Sequence, residues 1–242
     1  MKIFKYIPNT ITSMNLLCGA LGTVFAFQGQ LDTAFYLMLA GAICDFCDGL
    51  AARALKAYSP MGKELDSLAD LITFGLLPSV MLYTCMDIYH PEEWYCYLPL
   101  MIVVFSALRL AKFNIDERQS ENFIGLATPA CAMVCGSFAV IAHYDVNNIV
   151  GIFTESTWMI PAGAGILSLL LVSEIPMFSM KFKKDAPADL KWIRLAFIAV
   201  AIIAFIATLI IVQPVTHALS HAILFIFIAY ILMNLVQAVT RK

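Results

Sequence analysis

Charge is scarce in this chain. Of its 242 residues, 13% are charged and 61% are hydrophobic, and the mean hydropathy is +0.84, whereas a soluble domain carries about 25% charged residues. That shortage excludes an ordinary water-soluble globule. No low-complexity tract, long linker or internal repeat interrupts the sequence, so a single membrane domain over residues 1–242 is expected. The longest polar stretches are 112–125 and 181–194. Cysteine chemistry is also thin: Cys44 and Cys47 form the one C-x-x-C, no second pair or nearby histidine completes a zinc site, and the two read as small helix-packing residues. A cleaved leader is excluded around Leu17-Cys18-Gly19, because the preceding apolar run is short and broken by Ser13 and Asn15; residues 11–29 read as a retained helix.

What the chain has instead is apolar runs of membrane length. Eight are counted, at about 11–29, 32–54, 64–86, 94–112, 126–143, 158–178, 192–212 and 217–238, most near the roughly 20 residues a crossing helix needs. With the N-terminus in the cytoplasm, Lys2, Lys5, Arg53, Lys56, Lys63, Arg109, Lys112, Arg118, Lys181, Lys183, Lys184, Lys191, Arg194, Arg241 and Lys242 all fall on the cytoplasmic side. The opposite loops carry Asp32, Asp87, Glu92, Glu93 and Asp145 and no basic residue. This is the asymmetry of the positive-inside rule, and it predicts an all-α, multi-pass helical bundle with both termini cytoplasmic. Pro8, Asn9, Thr10 and Thr12 read as the start of the first helix. Lys181, Lys183 and Lys184 read as topogenic charge, with a lipid-headgroup or nucleotide role as the alternative.

Against that background, four acids stand out. Asp45, Asp48, Gly49, Ala52 and Arg53 spell D-x-x-D-G-x-x-A-R, and after eight spacer residues Gly62, Asp66 and Asp70 spell G-x-x-x-D-x-x-x-D. A carboxylate at a helix centre costs about 2.5 to 3.5 kcal/mol on insertion scales, so the default reading is functional, with a bound cation as compensation. At about 100° per residue, positions 45, 48, 49 and 52 share one helix face, and 62, 66 and 70 form one stripe. A short cytoplasmic turn joins the two segments, so the stripes can face each other. Asp45 lies roughly 12 Å along the axis from Arg53, inside the membrane boundary but within reach of the cytoplasm. Hard oxygen ligands suit Mg²⁺, Mn²⁺ or Ca²⁺ rather than zinc. Such an ion, bridging carboxylates and a diphosphate, would polarise the phosphorus under attack. Gly49 and Gly62 leave room for a nucleotide, and Arg53 can fork onto phosphate oxygens. His90, His143, His217 and His221 map to the outer side, which leaves a carboxylate as the proton acceptor.

This string resembles the signature of the CDP-alcohol phosphatidyltransferases, integral membrane enzymes of phospholipid synthesis. The resemblance implies that Asp45, Asp48 and Asp66 are metal ligands and that Asp70, in the same metal site, is the base that takes a proton from the attacking hydroxyl. It also implies that Gly49, Ala52, Arg53 and Gly62, with Asn9 and Thr12, line the CDP-diacylglycerol site. Further stretches are similar to the phosphatidylserine synthase branch: Ile7-Pro8-Asn9 with Thr12 and Asn15, Leu65 to Asp70 with Phe74-Gly75 and Pro78, Arg109 to Asn114, and Gly125 with Thr128-Pro129. Lys112 stands where that branch usually has Arg, Ala127 where Pro is common, and Cys44 where a bulkier residue is usual.

The likeness is dense over residues 7–132, the expected catalytic region, and thin over 133–242, expected to be additional membrane helices. It implies transfer of a phosphatidyl group from CDP-diacylglycerol to L-serine, with membrane lipids around the protein, a homodimer as the family's habit and no nucleic-acid partner. Serine's carboxylate needs a fixed cation; Arg109 and Lys112 are candidates, with snorkelling topogenic charge as the alternative. Ser67 is either a packing residue or a substrate contact, and Asn114 joins the tentative serine set. Two rivals stay open. One is the same chemistry on glycerol 3-phosphate or inositol phosphate; the other is a divalent-cation transporter, which calls for a midplane site reachable from both sides.

Overall fold

Backbone polar groups in hydrocarbon must be satisfied within the segment, and a long apolar run therefore closes into a helix. The computed structural model describes residues 6–116, 123–144, 156–178, 188–212 and 215–240, and helices dominate them. In chain order they are α1 (Ile7–Phe27), α2 (Leu31–Ala54), α3 (Pro60–Tyr89), α4 (Trp94–Ile115), α5 (Thr128–Tyr144), α6 (Met159–Val172), α7 (Ala188–Ile211) and α8 (Val215–Thr240). Apolar stretches in α1, α2, α3, α4, α7 and α8 are long enough to cross a membrane, while α5 and α6 have 17 and 14 residues. Lys2, Lys5, Arg118, Asp145, Lys181, Lys183, Lys184, Arg241 and Lys242 lie outside the described residues, as does the side chain of Lys191.

Local chemistry explains the helix ends and irregularities. Pro8 sits in the first turn of α1, where a missing N–H costs nothing. At its other end Gly29, with φ +75°, lets the Gly29 and Gln30 amides donate to the carbonyls of Ala26 and Phe25, each at 3.0 Å. Ser13 and Thr23 donate their hydroxyls to carbonyls one turn back, so they sit in an apolar helix without stranded protons. Ser59 caps α3 by accepting the Gly62 amide at 3.0 Å. Directly after Asp70, α3 widens into a π-helical turn over Leu71–Leu76 before resuming at Leu77. Pro78 cannot donate to a preceding carbonyl and its ring would crowd one, and the wider turn relieves both. Ser79 bonds the carbonyls of Gly75 and Leu76 at 2.7 and 2.8 Å.

One predicted span is corrected. The apolar stretch 158–178 is not one helix: α6 stops at Val172, and Pro176–Met177 forms a strand, β2, antiparallel to β1 (Phe123–Ile124). Ser173 closes the helix by donating to Leu170, and Pro176 biases Ile175 away from helical geometry. Gly125, at φ +77°, turns the chain so that its amide reaches Ile175 and that of Leu126 reaches Leu170, both at 2.9 Å. A Cβ there would lie 2.7 Å from the carbonyl of Leu171.

Packing centres on α1 against α2 and α3, with α5 filling the space between α2, α3 and α8. Phe35, Met38, Phe74, Leu77 and Met81 form its buried middle. Outward-facing Ile203, Ile206, Ile210 and Ile211 on α7, and Ile43 and Phe46 on α2, are exposed apolar surface of the kind lipid covers.

Candidate active site

The site begins with close backbone approach. A Cβ on Gly19 would overlap Thr73 Oγ1, and one on Gly41 would lie 2.5 Å from Thr73 Cγ2 and 2.9 Å from Asn15 Oδ1. Two glycines therefore let α1 and α2 press against the π-helical turn of α3, and Thr73 fixes the contact by donating to the Asn15 carbonyl at 3.0 Å. The acidic stripes of α2 and α3 meet beside this contact, facing each other.

There the structure brings Asp45, Asp48 and Asp66 together: each offers a carboxylate oxygen, and those oxygens all lie within 4.8 Å of one another. Thr12 Oγ1 donates to Asp48 Oδ2 at 2.6 Å, which fixes a carboxylate that is only 6% exposed. Asp66 Oδ1 is buried and has no hydrogen-bond partner among the described residues. An orphaned buried acceptor beside two other carboxylates is what a cation ligand leaves when the ion is taken away, and all donors are hard oxygens, so the residues fit a divalent ion. Asp70 is outside this trio but follows Asp66 by one turn and senses the charges of Asp45, Asp66 and Arg109. Its Oδ1 accepts a long bond, 3.4 Å, from Asn15 Nδ2.

Beside the trio opens a cavity of about 220 Å³. Five of the predicted CDP-diacylglycerol residues line it: Asn9, Thr12, Gly49, Ala52 and Gly62. At Gly62 a Cβ would come within 3.0 Å of Asn9 Oδ1 and Ser59 Oγ, while at Gly49 the nearest atom would be Arg53 Nη2 at 3.9 Å. Arg53 lies at the rim, exposed, with Nε donating to the Gly49 carbonyl at 2.9 Å. None of the four histidines lines this cavity. His143 and His217 instead stack around Tyr144, with ring centroids 4.6 and 5.0 Å away.

The candidate serine residues divide. Arg109 is 8% exposed, so it is turned inward rather than snorkelling: Nη1 donates to Thr128 Oγ1 at 2.8 Å, the guanidinium lies 5.4 Å over the Phe113 ring, and Asp70 and Tyr230 are the charged and polar groups it senses. Its Nε is buried with no hydrogen-bond partner among the described residues. Lys112 behaves as a surface cation, paired with Glu174 at 3.4 Å. Ser67 and Asn114 bond each other, Nδ2 to Oγ at 2.9 Å.

Sequence reasoning assigned no site role to three residues. Asn15 belongs to the branch likeness and carries a signal, an amide three positions beyond Thr12 on an apolar helix. Lys63 flanks Gly62, and Tyr230 comes from α8, far along the chain, where nothing in the sequence ties it to Arg109.

Comparison with known proteins agrees with this geometry. The family model described as CDP-alcohol phosphatidyltransferase matches residues 5–170. A protein of Bacillus subtilis (strain 168) named CDP-diacylglycerol--serine O-phosphatidyltransferase is 35% identical over 187 residues, covering 77% of this chain and 97% of its own. One of the same name from Helicobacter pylori (strain ATCC 700392 / 26695) is 33% identical over 218 residues, covering 88% of this chain and 84% of its own. The archaetidylserine synthase of Methanothermobacter thermautotrophicus is 30% identical over 148 residues, 59% of this chain and 61% of its own. A matched domain spanning more than half the chain, together with the three-carboxylate cluster, places this membrane protein in the CDP-alcohol phosphatidyltransferase family.

Proposed function

We propose that the protein transfers the phosphatidyl group of CDP-diacylglycerol to the hydroxyl of L-serine. The observation that carries the acceptor assignment is Arg109, a buried guanidinium whose Nε has no hydrogen-bond partner among the described residues and whose charge acts on Asp70. A planar cation suits the serine carboxylate. The names borne by the relatives agree. In the reaction, the serine oxygen forms a bond to the diacylglycerol-bearing phosphorus, the bond from that phosphorus to the CMP oxygen breaks, and Asp70 accepts the hydroxyl proton. Thr12 holds Asp48 and Asn15 holds Asp70 in register, while Gly49, Ala52 and Gly62 admit the cytidine nucleotide. A divalent cation held by Asp45, Asp48 and Asp66 would neutralise the diphosphate and polarise the phosphorus under attack.

The same reading places eight crossings in the membrane with the site facing the cytoplasm. Arg53, Lys56 and Lys63 in and beside the turn between α2 and α3, and Arg109 and Lys112 at the end of α4, support that orientation. The test is CMP release by purified protein in mixed micelles of CDP-diacylglycerol. Release should require serine, stop on chelation and return with Mg²⁺, Mn²⁺ or Ca²⁺. A preference for glycerol 3-phosphate over serine would overturn the acceptor, and full turnover after exhaustive chelation would overturn the metal.

Arg109→Ala should raise the KM for serine about 10- to 150-fold, the range of a charge-assisted hydrogen bond, with a much smaller effect on the KM for CDP-diacylglycerol. Arg53→Ala should show the opposite bias. Unchanged serine kinetics in Arg109→Ala would remove this arginine from the acceptor site.

A further inference from the structure

The cavity beside the aspartates has an electrostatic feature that the family signature does not contain. Lys63 lines it, and it is the one cation among the described lining residues, which also include Asp48 and Asp66. The N-terminal turn of α3 opens on the same space, since Ser59, Gly62 and Lys63 all line it. A helix N-terminus carries roughly half a positive charge, which favours an anion even though the Gly62 and Lys63 amides are already bonded to Ser59. The lysine is also anchored: Nζ donates to the Asn114 carbonyl at 2.9 Å, in the last turn of α4, where the helix dipole is negative. That bond uses one of the three ammonium protons, ties the head group to the end of α4 and leaves two protons for an anion.

These observations point to an anion larger than a carboxylate. Three aspartates already make the site negative, and a diphosphate bound there adds charge that one divalent ion does not fully balance. An ammonium and a helix N-terminus that line the same cavity supply the remainder. We infer that Lys63 is a binding residue for the diphosphate of the cytidine nucleotide, and that through Asn114 it joins the nucleotide site to α4, the helix carrying Arg109. This rests on the proposed reaction. The coupling has a physical route: Asn114 also bonds Ser67 on α3, and Ser67 donates to the Lys63 carbonyl at 3.3 Å, so Lys63, Ser67 and Asn114 form one polar clamp between α3 and α4.

The discriminating experiment compares CDP, CMP and cytidine as ligands of the purified, detergent-solubilised protein with Mg²⁺ present, by calorimetry, in wild type, Lys63→Met and Lys63→Arg. Methionine keeps most of the aliphatic stem and removes the charge. The expected result is about a 10-fold loss of CDP affinity in Lys63→Met, a smaller loss for CMP, less than about 2-fold for cytidine, and substantial recovery in Lys63→Arg. Raised salt should weaken CDP binding to wild type more than to Lys63→Met. Equal losses for all three ligands with a lowered melting temperature would show a purely structural clamp and overturn the inference, as would unchanged CDP affinity. Serine-dependent CMP release by wild type, measured alongside, tests the underlying reaction separately: its absence with a phosphate-graded Lys63 effect would discard the reaction and keep the nucleotide contact.

Discussion

Asp66→Asn should abolish serine-dependent CMP release and weaken divalent-ion and CDP-diacylglycerol binding together. The carboxylate has one oxygen buried without a hydrogen-bond partner among the described residues and shares a space under 4.8 Å across with Asp45 and Asp48. An amide offers one neutral carbonyl oxygen and two protons that repel a cation, so the loss should exceed the 10- to 100-fold typical of removing a mere outer-shell partner of a metal ligand. The apo protein should not suffer in step. Three clustered carboxylates repel one another, and replacing one with an amide relieves that repulsion, so Asp66→Asn should melt at the same temperature as wild type or higher when no metal is added. Added Mn²⁺ should raise the melting temperature of wild type and leave the variant nearly unmoved. Metal-induced stabilisation equal to that of wild type would show that Asp66 does not ligate the ion. Thr12→Val would give a milder copy of the same phenotype through Asp48, whose carboxylate loses its 2.6 Å donor.

The acidic cluster was legible from spacing because a helix is a rigid ruler: positions 45, 48, 66 and 70 are fixed on their faces by 3.6 residues per turn, and a five-residue linker cannot carry the stripes far apart. The same arithmetic located the helices to within a few residues, apart from the sixth. There hydropathy misled, because Ile175, Met177 and Phe178 are as apolar as helix residues while Ser173 and Pro176 decide the backbone. Periodicity cannot see a strand of two residues whose pairing partner, Phe123–Ile124, lies some 50 positions earlier. The π-helical turn after Asp70 was equally hidden, although Pro78 marks where an α-helix would be strained.

The acceptor side was only half legible for a related reason. Composition shows that Arg109 and Lys112 are basic, but not that one is buried against Thr128 and Phe113 while the other reaches Glu174. That difference arises from α5 and the end of α6, which arrive from later in the chain. Likewise Ser67 and Asn114 looked like independent contacts; their mutual bond makes them part of the α3 to α4 clamp. Long-range pairing of this kind leaves no periodic trace.

Asp70→Asn should lower kcat about 10²- to 10⁴-fold while leaving CDP-diacylglycerol affinity within a few-fold of wild type, because the residue removed is the proposed base. The geometry supports a division of labour with the trio. Asp70 is one turn further along α3 than Asp66, at the start of the π-helical turn, and the charges of Asp45, Asp66 and Arg109 all act on it. Asn15 secures that placement with its 3.4 Å bond, and its own Oδ1 is buried without a hydrogen-bond partner among the described residues, so the amide is held by packing against Gly41 and has little freedom to turn. Asn15→Leu should accordingly reduce kcat by a smaller factor than Asp70→Asn, and the double variant should be no slower than Asp70→Asn alone, since a positioning residue has nothing left to position. The measurements are single-turnover CMP release, which isolates chemistry, and metal-dependent CDP binding, which isolates the ground state. Collapse of CDP binding in Asp70→Asn together with Asp66→Asn would instead make Asp70 a fourth metal ligand and move the proton to another acceptor.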